Sequence, residues 1–309
     1  MTKAIAFSEY GDPDVLAPID IEVPEPGPGQ VRVAVRTLGV NPLDRRLRTG
    51  ELAALFPIAF PFVPGCEVAG TVTAVGEGVT GFAPGDEVFG GMMAGGYAEH
   101  ALVQAESLAH KPASLSWEQA AALPTGAETA ERVLGVLGVR PGETLLVHGA
   151  AGGVGTLLLQ FARERGITVV GTASEANHGY LRELGAIPVA YGEGLAERVR
   201  AAAPGGRVDR ALDASGRADE IPLSVELTGA ADRVLSIANA VGAQQHGVRF
   251  SGGQETEHFH QRAFAAALEL HGAGRLVLPL HRVLPLAEAA EAHRISEHGH
   301  LRGKVVLTV

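Results

Sequence analysis

Between residues 144 and 155 the chain reads Thr-Leu-Leu-Val-His-Gly-Ala-Ala-Gly-Gly-Val-Gly, and this stretch restricts the possible folds more than any other. Leu145, Leu146 and Val147, with Thr144 ahead of them, form a short apolar run that reads as a buried strand. A glycine-dense turn follows at once. From Val154 to Glu164 apolar residues then recur at helical spacing. Strand, glycine turn and helix in this order open a dinucleotide-binding βαβ unit. Gly152 and Gly155 take the second and third glycine places of G-x-G-x-x-G, and Ala150 stands in the first. With no Cβ at 152 a pyrophosphate can approach the backbone, and Gly155 lets the helix pack close to the strand. The free N–H groups of the helix start, around Gly153 and Val154, then face the anion.

Composition limits the alternatives. A chain of 309 residues, 46% hydrophobic and 19% charged, can bury two cores and is not a disordered polymer. The net charge of −10 argues against nucleic acid or an anionic membrane as partner. A single cysteine excludes a disulfide framework and a cysteine-built structural zinc site. The first residues lack the apolar core of a signal peptide, and no run of 18 apolar residues occurs, so a cytoplasmic protein without a membrane segment is expected.

Residues 1 to about 120 are punctuated by Gly and Pro, with strand-like runs at 3–7, 30–38, 70–75, 87–89 and 98–103. That spacing suggests a barrel-like module. Helix formers take over at 117–123 and 127–137. Beyond the glycine turn, strands are expected at 167–172, 187–190, 208–213, 233–237 and 248–251, with helices at 175–184 and 195–203, the alternation of a parallel sheet covered on both faces. A long helix is expected at 256–271. The tail, strand 276–280, helix 286–296 and strand 304–309, departs from this alternation and is read as returning to the first domain. The expected division is therefore 1–121 with 257–309, and 122–256.

Several separate stretches resemble one family. These are Gly39-Val-Asn-Pro-Leu-Asp44, Val63-Pro-Gly-Cys-Glu-Val-Ala-Gly70, Val75-Gly-Glu-Gly-Val79, Phe82-Ala-Pro-Gly-Asp-Glu-Val88, Gly96-Tyr-Ala-Glu99, the glycine turn and Gly303-Lys-Val-Val-Leu307. In this order they resemble the zinc-free quinone oxidoreductases of the medium-chain dehydrogenase/reductase superfamily. The resemblance implies an α/β protein in which a GroES-like β-rich catalytic domain accompanies a Rossmann domain, a doubly wound parallel sheet. It also implies NAD(P)H-dependent reduction of quinones or α,β-unsaturated carbonyl compounds, hence a small hydrophobic substrate, and a homodimer formed at the sheet edge near 248–250. Two rivals stay open: a pathway-specific enoyl or double-bond reductase of secondary metabolism, and an NADPH-binding sensor with little catalysis.

The resemblance also assigns residues. Where zinc-dependent relatives hold their metal, this chain has Asn41, Cys66 and Thr125, and catalytic zinc needs about three good donors. Even with Glu67 the set falls short, so no metal is expected. His258-x-His260 and His298-x-His300 read as helix surface and turn, and Cys66 as a small packed residue. An NAD-preferring fold carries an acid at the end of the second strand. Here that end is Thr172-Ala173-Ser174, and Glu175 falls just beyond, where it would complement a helix dipole. Tyr191 matches a tyrosine of NADPH-using relatives, with Ser174, Asn177 and His178 filling the neighbouring loop, so NADPH is expected over NADH. The usual Lys or Arg is not evident there. For catalysis, Asn41 is the candidate donor to a developing oxyanion. Asp44 is either a proton relay or an ion-pair partner of Arg45 and Arg46, and Thr129 matches a threonine near the nicotinamide. Lys304 is read as structural or as a cofactor-edge contact. Leu52, where relatives often carry tyrosine, points to an apolar substrate pocket.

Overall fold

Val31, Val33 and Val35 alternate with Arg32, Ala34 and Arg36 along the longest strand, and the valines are the buried set. This alternation organises the first sheet of the computed structural model, which describes residues 1–252, 259–299 and 301–309. In chain order, β1 (Thr2–Ala6), β2 (Ala17–Ile21), β3 (Gln30–Val40), α1 (Pro42–Arg48), β4 (Glu67–Val75), β5 (Glu87–Gly91), β6 (His100–Gln104), β7 (Leu108–His110) and α2 (Trp117–Ala122) come first. β1 and β2 pair antiparallel. The longer sheet runs β14-β15-β3-β4-β5-β7, with β6 also paired to β3. Its first two strands return from the C-terminal end of the chain as β14 (Leu280–Pro285) and β15 (Lys304–Thr308), joined by α10 (Ala289–His298). Val31, Val33, Leu38, Val68, Val88, Val305 and Leu307 share its core.

The middle of the chain alternates as the sequence suggests. It comprises α3 (Pro124–Leu137), β8 (Thr144–His148), α4 (Gly153–Glu164), β9 (Thr168–Ala173), α5 (His178–Glu183), β10 (Ile187–Ala190), α6 (Leu195–Ala202), β11 (Arg210–Asp213), α7 (Glu220–Thr228), β12 (Val234–Ser236), α8 (Ala240–Gln245), β13 (Arg249–Phe250) and α9 (Phe259–Gly272). Among the described residues its sheet has six strands, all parallel, in the order β10-β9-β8-β11-β12-β13. β8 is buried along its whole length, as a central strand covered on both faces must be. The order reverses beside β8, so the carboxyl ends of β8 and β11 flank the point at which open α/β sheets bind ligands.

The chain divides into one compact unit of Met1–Thr125 with Leu278–Val309 and a second of Gly126–Val277. α9 thus lies with the parallel sheet and not with the returning tail: Arg262 pairs with Glu131 at 2.6 Å, and a Cβ on Gly135 would meet the Phe259 ring at 3.1 Å. The part of the expected helix at 256–258 lies outside the described residues. The strand expected at 276–280 runs instead over Leu280–Pro285. Val277 gives its N–H and its carbonyl to the side chain of Gln160, both at 2.8 Å, so this backbone is satisfied without a ladder.

Gly155 is fixed by close approach. A Cβ there would lie 2.6 Å from the carbonyl carbon of Ala150 and 2.7 Å from its Cα. Gly155→Ala should therefore cost about 1–3 kcal/mol of stability through backbone displacement, read as a lowered thermal midpoint. An unchanged midpoint would contradict the close packing of turn and helix.

Candidate active site

β3 ends where α1 begins, and Asn41 sits at the junction as N-cap with Pro42 at the first helical position. Asp44, at N3, accepts the Asn41 N–H at 2.8 Å through Oδ2, a reach-back that satisfies an otherwise orphaned donor. Its Oδ1 accepts the Gly65 N–H at 3.0 Å, and Tyr97 Oη donates to Oδ2 at 3.4 Å. Behind the tyrosine stands His293, whose Nε2 is 3.1 Å from the phenol oxygen, and Arg48 Nε donates to His293 Nδ1 at 3.1 Å. Since a guanidinium only donates, Nδ1 accepts and the imidazole proton sits on Nε2. Each hydrogen bond then points toward Asp44. Burial and the Arg48 charge press the His293 pKa down to about 3. Burial raises Asp44 to about 6 despite its backbone hydrogen bonds. Arg45 and Arg46, adjacent in sequence, turn to Glu51 instead, so Asp44 is not their ion-pair partner.

The Asn41 side chain enters a second buried cluster. Its Nδ2 donates to Glu67 Oε1 at 2.8 Å and to Cys66 Sγ at 3.3 Å, and its Oδ1 accepts from Lys304 Nζ at 2.7 Å. The lysine contact fixes which end of the amide is oxygen. Glu67, fully buried, also pairs with the Lys304 ammonium and accepts the Thr125 N–H at 2.8 Å. Gly39 makes room for it, because a Cβ there would come within 2.6 Å of the Glu67 carboxyl carbon. Cys66 Sγ lies 3.6 Å from Thr125 Oγ1, so the three positions matched to zinc ligands do converge. The donor set does not fit the ion, however. It offers one thiol, whose pKa burial pushes far up, and a carboxylate already answered by a cation and two N–H donors. Among the described residues no group of three or more His, Cys, Asp or Glu could hold a metal. His258 and His300 lie outside the described residues, His260 packs edge-on against Phe264, and His298 Nδ1 meets the Arg294 carbonyl at 2.7 Å.

In the second unit the glycine turn crosses from β8 to α4. Gly149 has φ +78°, Ala150 N–H reaches the Thr172 carbonyl at 3.2 Å, and Gly152 is the N-cap. A Cβ on Gly152 would meet nothing closer than the Gly149 carbonyl oxygen at 3.4 Å. Gly153 and Val154 begin the helix. Past β9, Asn177 Nδ2 donates to Ser174 Oγ at 3.2 Å, and His178 Nε2 is buried without a hydrogen-bond partner. Tyr191 follows β10 in a turn held by Arg198, and the Arg217 guanidinium lies over its ring, 5.3 Å from the centroid. Thr129 is buried in α3 against an ion pair: its hydroxyl donates to Glu128 at 3.3 Å and accepts from Arg132 at 3.4 Å.

Several of these partners escape a linear reading. Tyr97, in the bend before β6, and His293, on α10, are buried where a core role is the default, and Arg217 comes from the loop after β11. Arg217's one signal is a basic residue just past the carboxyl end of a parallel strand.

Residues 27–113 match the family described as alcohol dehydrogenase GroES-like domain, and residues 184–307 match that described as zinc-binding dehydrogenase. The chain is 35% identical to the pikromycin polyketide synthase component PikAII of Streptomyces venezuelae, over 97% of this chain and 8% of that protein. It is 42% identical to the quinone oxidoreductase of Rattus norvegicus over 56% of this chain and 53% of that one. It is 36% identical to the quinone oxidoreductase of Pseudomonas aeruginosa over 78% of this chain and 75% of that one. The chain thus spans about half the length of the rat relative and a small fraction of the synthase. Among solved structures, the Escherichia coli quinone oxidoreductase complexed with NADPH superposes with a TM-score of 0.87 at 27% identity, covering 99% of this chain and 100% of the other. The CurK enoyl reductase gives 0.87 at 27%, covering 99% of each.

Two predictions follow from the first unit. Folded, Asp44 keeps its proton up to about pH 6, whereas its ordinary value is 3.8. The native state therefore binds the extra proton between these values, and the contribution is greatest below the lower one and lost as pH rises through the upper. Asp44→Asn does not titrate, so wild-type stability relative to it should fall by about 1 kcal/mol between pH 5 and 7 in urea unfolding; parallel curves would refute the shift. Cys66, buried and held as a thiol, should react with a maleimide on the order of a hundredfold slower in the native protein than in urea. Equal rates would place it at the surface.

Proposed function

The chain belongs to the quinone oxidoreductases of the medium-chain dehydrogenase/reductase superfamily, and from that premise we propose that it reduces quinones or α,β-unsaturated carbonyl compounds with NADPH. The observation that carries the reading is the ligand-ready carboxyl end of the parallel sheet. An N-cap glycine with open space beside it follows β8 there, and a buried, unpartnered His178 Nε2 follows β9 at the same end of the sheet. Ala150, Gly152, Gly153, Val154 and Gly155 would hold the pyrophosphate against the start of α4. Ser174, Asn177, His178 and Tyr191 would take the adenosine half. A bound nicotinamide dinucleotide supplies the hydride.

The protein's own task is to receive charge on the substrate oxygen. Asn41 is suited to this, because only one of its amide hydrogens goes to a strong acceptor, Glu67. The other rests on Cys66 sulfur, a weak acceptor from which it is released at little cost. Lys304 holds the carbonyl end of the amide in place. Asp44 acts on Asn41 through the backbone, as a positioning residue. Thr129 supports α3 through the Glu128–Arg132 pair. A homodimer through the exposed side of β13, an edge strand of the sheet, completes the reading.

A second reading has a specific observation behind it. The match to a polyketide synthase component runs along nearly the whole chain, and an enoyl reductase is among the structural neighbours. Under this reading the substrate is an enoyl thioester, reduced by the same hydride geometry. NADPH oxidation followed against 1,4-quinones, 2-enones and a short enoyl thioester, with NADH as control, separates the two. Turnover of quinones or simple enones supports the first, turnover confined to the thioester supports the second, and NADPH binding without turnover of any removes both. Asn41→Ala should lower turnover on the order of a hundredfold while leaving the NADPH dissociation constant nearly unchanged. Equal turnover would remove Asn41 from the chemistry.

A further inference from the structure

We propose that Arg217 is the cation that recognises the 2′-phosphate of NADPH and so sets the preference for NADPH over NADH. This rests on assigning the Ser174–Tyr191 end of the parallel sheet to the adenosine half of the cofactor. A dianionic phosphate calls for a permanent positive charge with directed donors. The loop after β9, Ser174-Glu175-Ala176-Asn177-His178, has none.

Two arginines bear on Tyr191, and they differ in how their donors are used. Arg198 is committed to the turn itself: Nε and an Nη donate to the Ala190 carbonyl at 3.1 and 2.9 Å, and the others reach the Gly192 and Glu193 carbonyls at 3.2 and 2.7 Å. Arg217 lies over the tyrosine ring with its guanidinium 5.3 Å from the centroid. Its side chain is 49% exposed, and its acidic neighbours are loose, Asp219 at 3.6 Å and Glu220 at 3.7 Å from Nε. The pair with Asp219 is exposed on both sides, a kind that holds a side chain weakly, whereas Glu220 is buried and lies beyond hydrogen-bond distance. A guanidinium held over an aromatic ring can present its N–H edge to a phosphate, which it grips with two parallel bonds.

The loop that presents this arginine is pinned from beneath. Asp213, fully buried at the end of β11, accepts the N–H groups of Ser215 at 3.0 Å and Gly216 at 2.8 Å, while Ser236 Oγ donates to its other oxygen at 2.7 Å. Gly216 takes φ +79°, and Arg217 N–H donates to Ser215 Oγ at 3.2 Å. Arg217 is thus preorganised by its backbone, and its half-exposed head is held by the tyrosine ring and two loosely placed carboxylates. His178 Nε2, buried and without a partner, offers a further polar atom at the same end of the sheet.

The test titrates adenosine 2′,5′-bisphosphate and adenosine 5′-monophosphate into wild type, Arg217→Ala and Arg217→Lys by calorimetry, with thermal midpoints as a folding control. Wild type should favour the bisphosphate. Arg217→Ala should weaken it roughly ten- to a hundredfold and leave the monophosphate unchanged. Arg217→Lys, which keeps the charge but not the fork, should fall between. Equal weakening of both ligands would make Arg217 an adenine contact or a loop prop and overturn the proposal. Undiminished preference in Arg217→Ala would overturn it while leaving the NADPH reading intact. If wild type itself shows no preference for the 2′-phosphate, the NADPH reading fails and Arg217 with it.

Discussion

A carboxylate buried away from water has to be answered by the protein, and Glu67 is answered from three directions. Lys304 brings an opposite charge from the start of β15, Asn41 an amide from the end of β3, and Thr125 a backbone N–H from the start of α3. Gly39 supplies the space. Removing one partner of such a cluster leaves an uncompensated charge, which costs more than the pair contributes when intact. The arrangement therefore fixes where distant chain segments meet and holds the Asn41 amide in one orientation. The proposed donor to substrate is a by-product of solving the burial problem of its neighbour.

Asp44 is handled in the same way but with less counter-charge. Two backbone N–H groups and a phenol face it, and the hydrogen-bond direction is imposed from as far away as Arg48 through a neutral imidazole. Desolvation wins over those donors, so the carboxyl stays close to neutrality at moderate acidity. A group tuned in this way has the titration of a functional residue, yet its contacts are those of a brace between α1 and the Gly65 turn.

The parallel sheet was legible because its signals are local. An apolar run, four glycines within seven residues and a periodic helix state the βαβ opening without any long-range information, and the structure keeps Gly152 at the N-cap and Gly155 in close packing. The β-rich unit was legible from its punctuation. The strand placed at 276–280 was misplaced because an apolar run does not reveal that Val277 is satisfied by a glutamine side chain. The site was only partly legible for a related reason. Asn41 could be picked out by its motif, but Lys304 and Glu67 reach it, and Tyr97 and His293 line up behind Asp44, only once β15, β4 and α10 are assembled. Arg45 and Arg46, next to Asp44 in sequence, point elsewhere. Arg217 is separated from Tyr191 by a whole βα passage and is found only where strand ends converge.

In the proposed reaction a hydride passes from NADPH to the substrate. The fate of that hydrogen tests the reaction most directly. With NADPH dideuterated at C4 of the nicotinamide and a β-substituted 2-enone as acceptor, mass spectrometry and NMR of the product should show one deuterium, on the β-carbon and on a single face. Reduced product carrying no deuterium, or deuterium scrambled between faces, would contradict direct transfer in a site built by these residues.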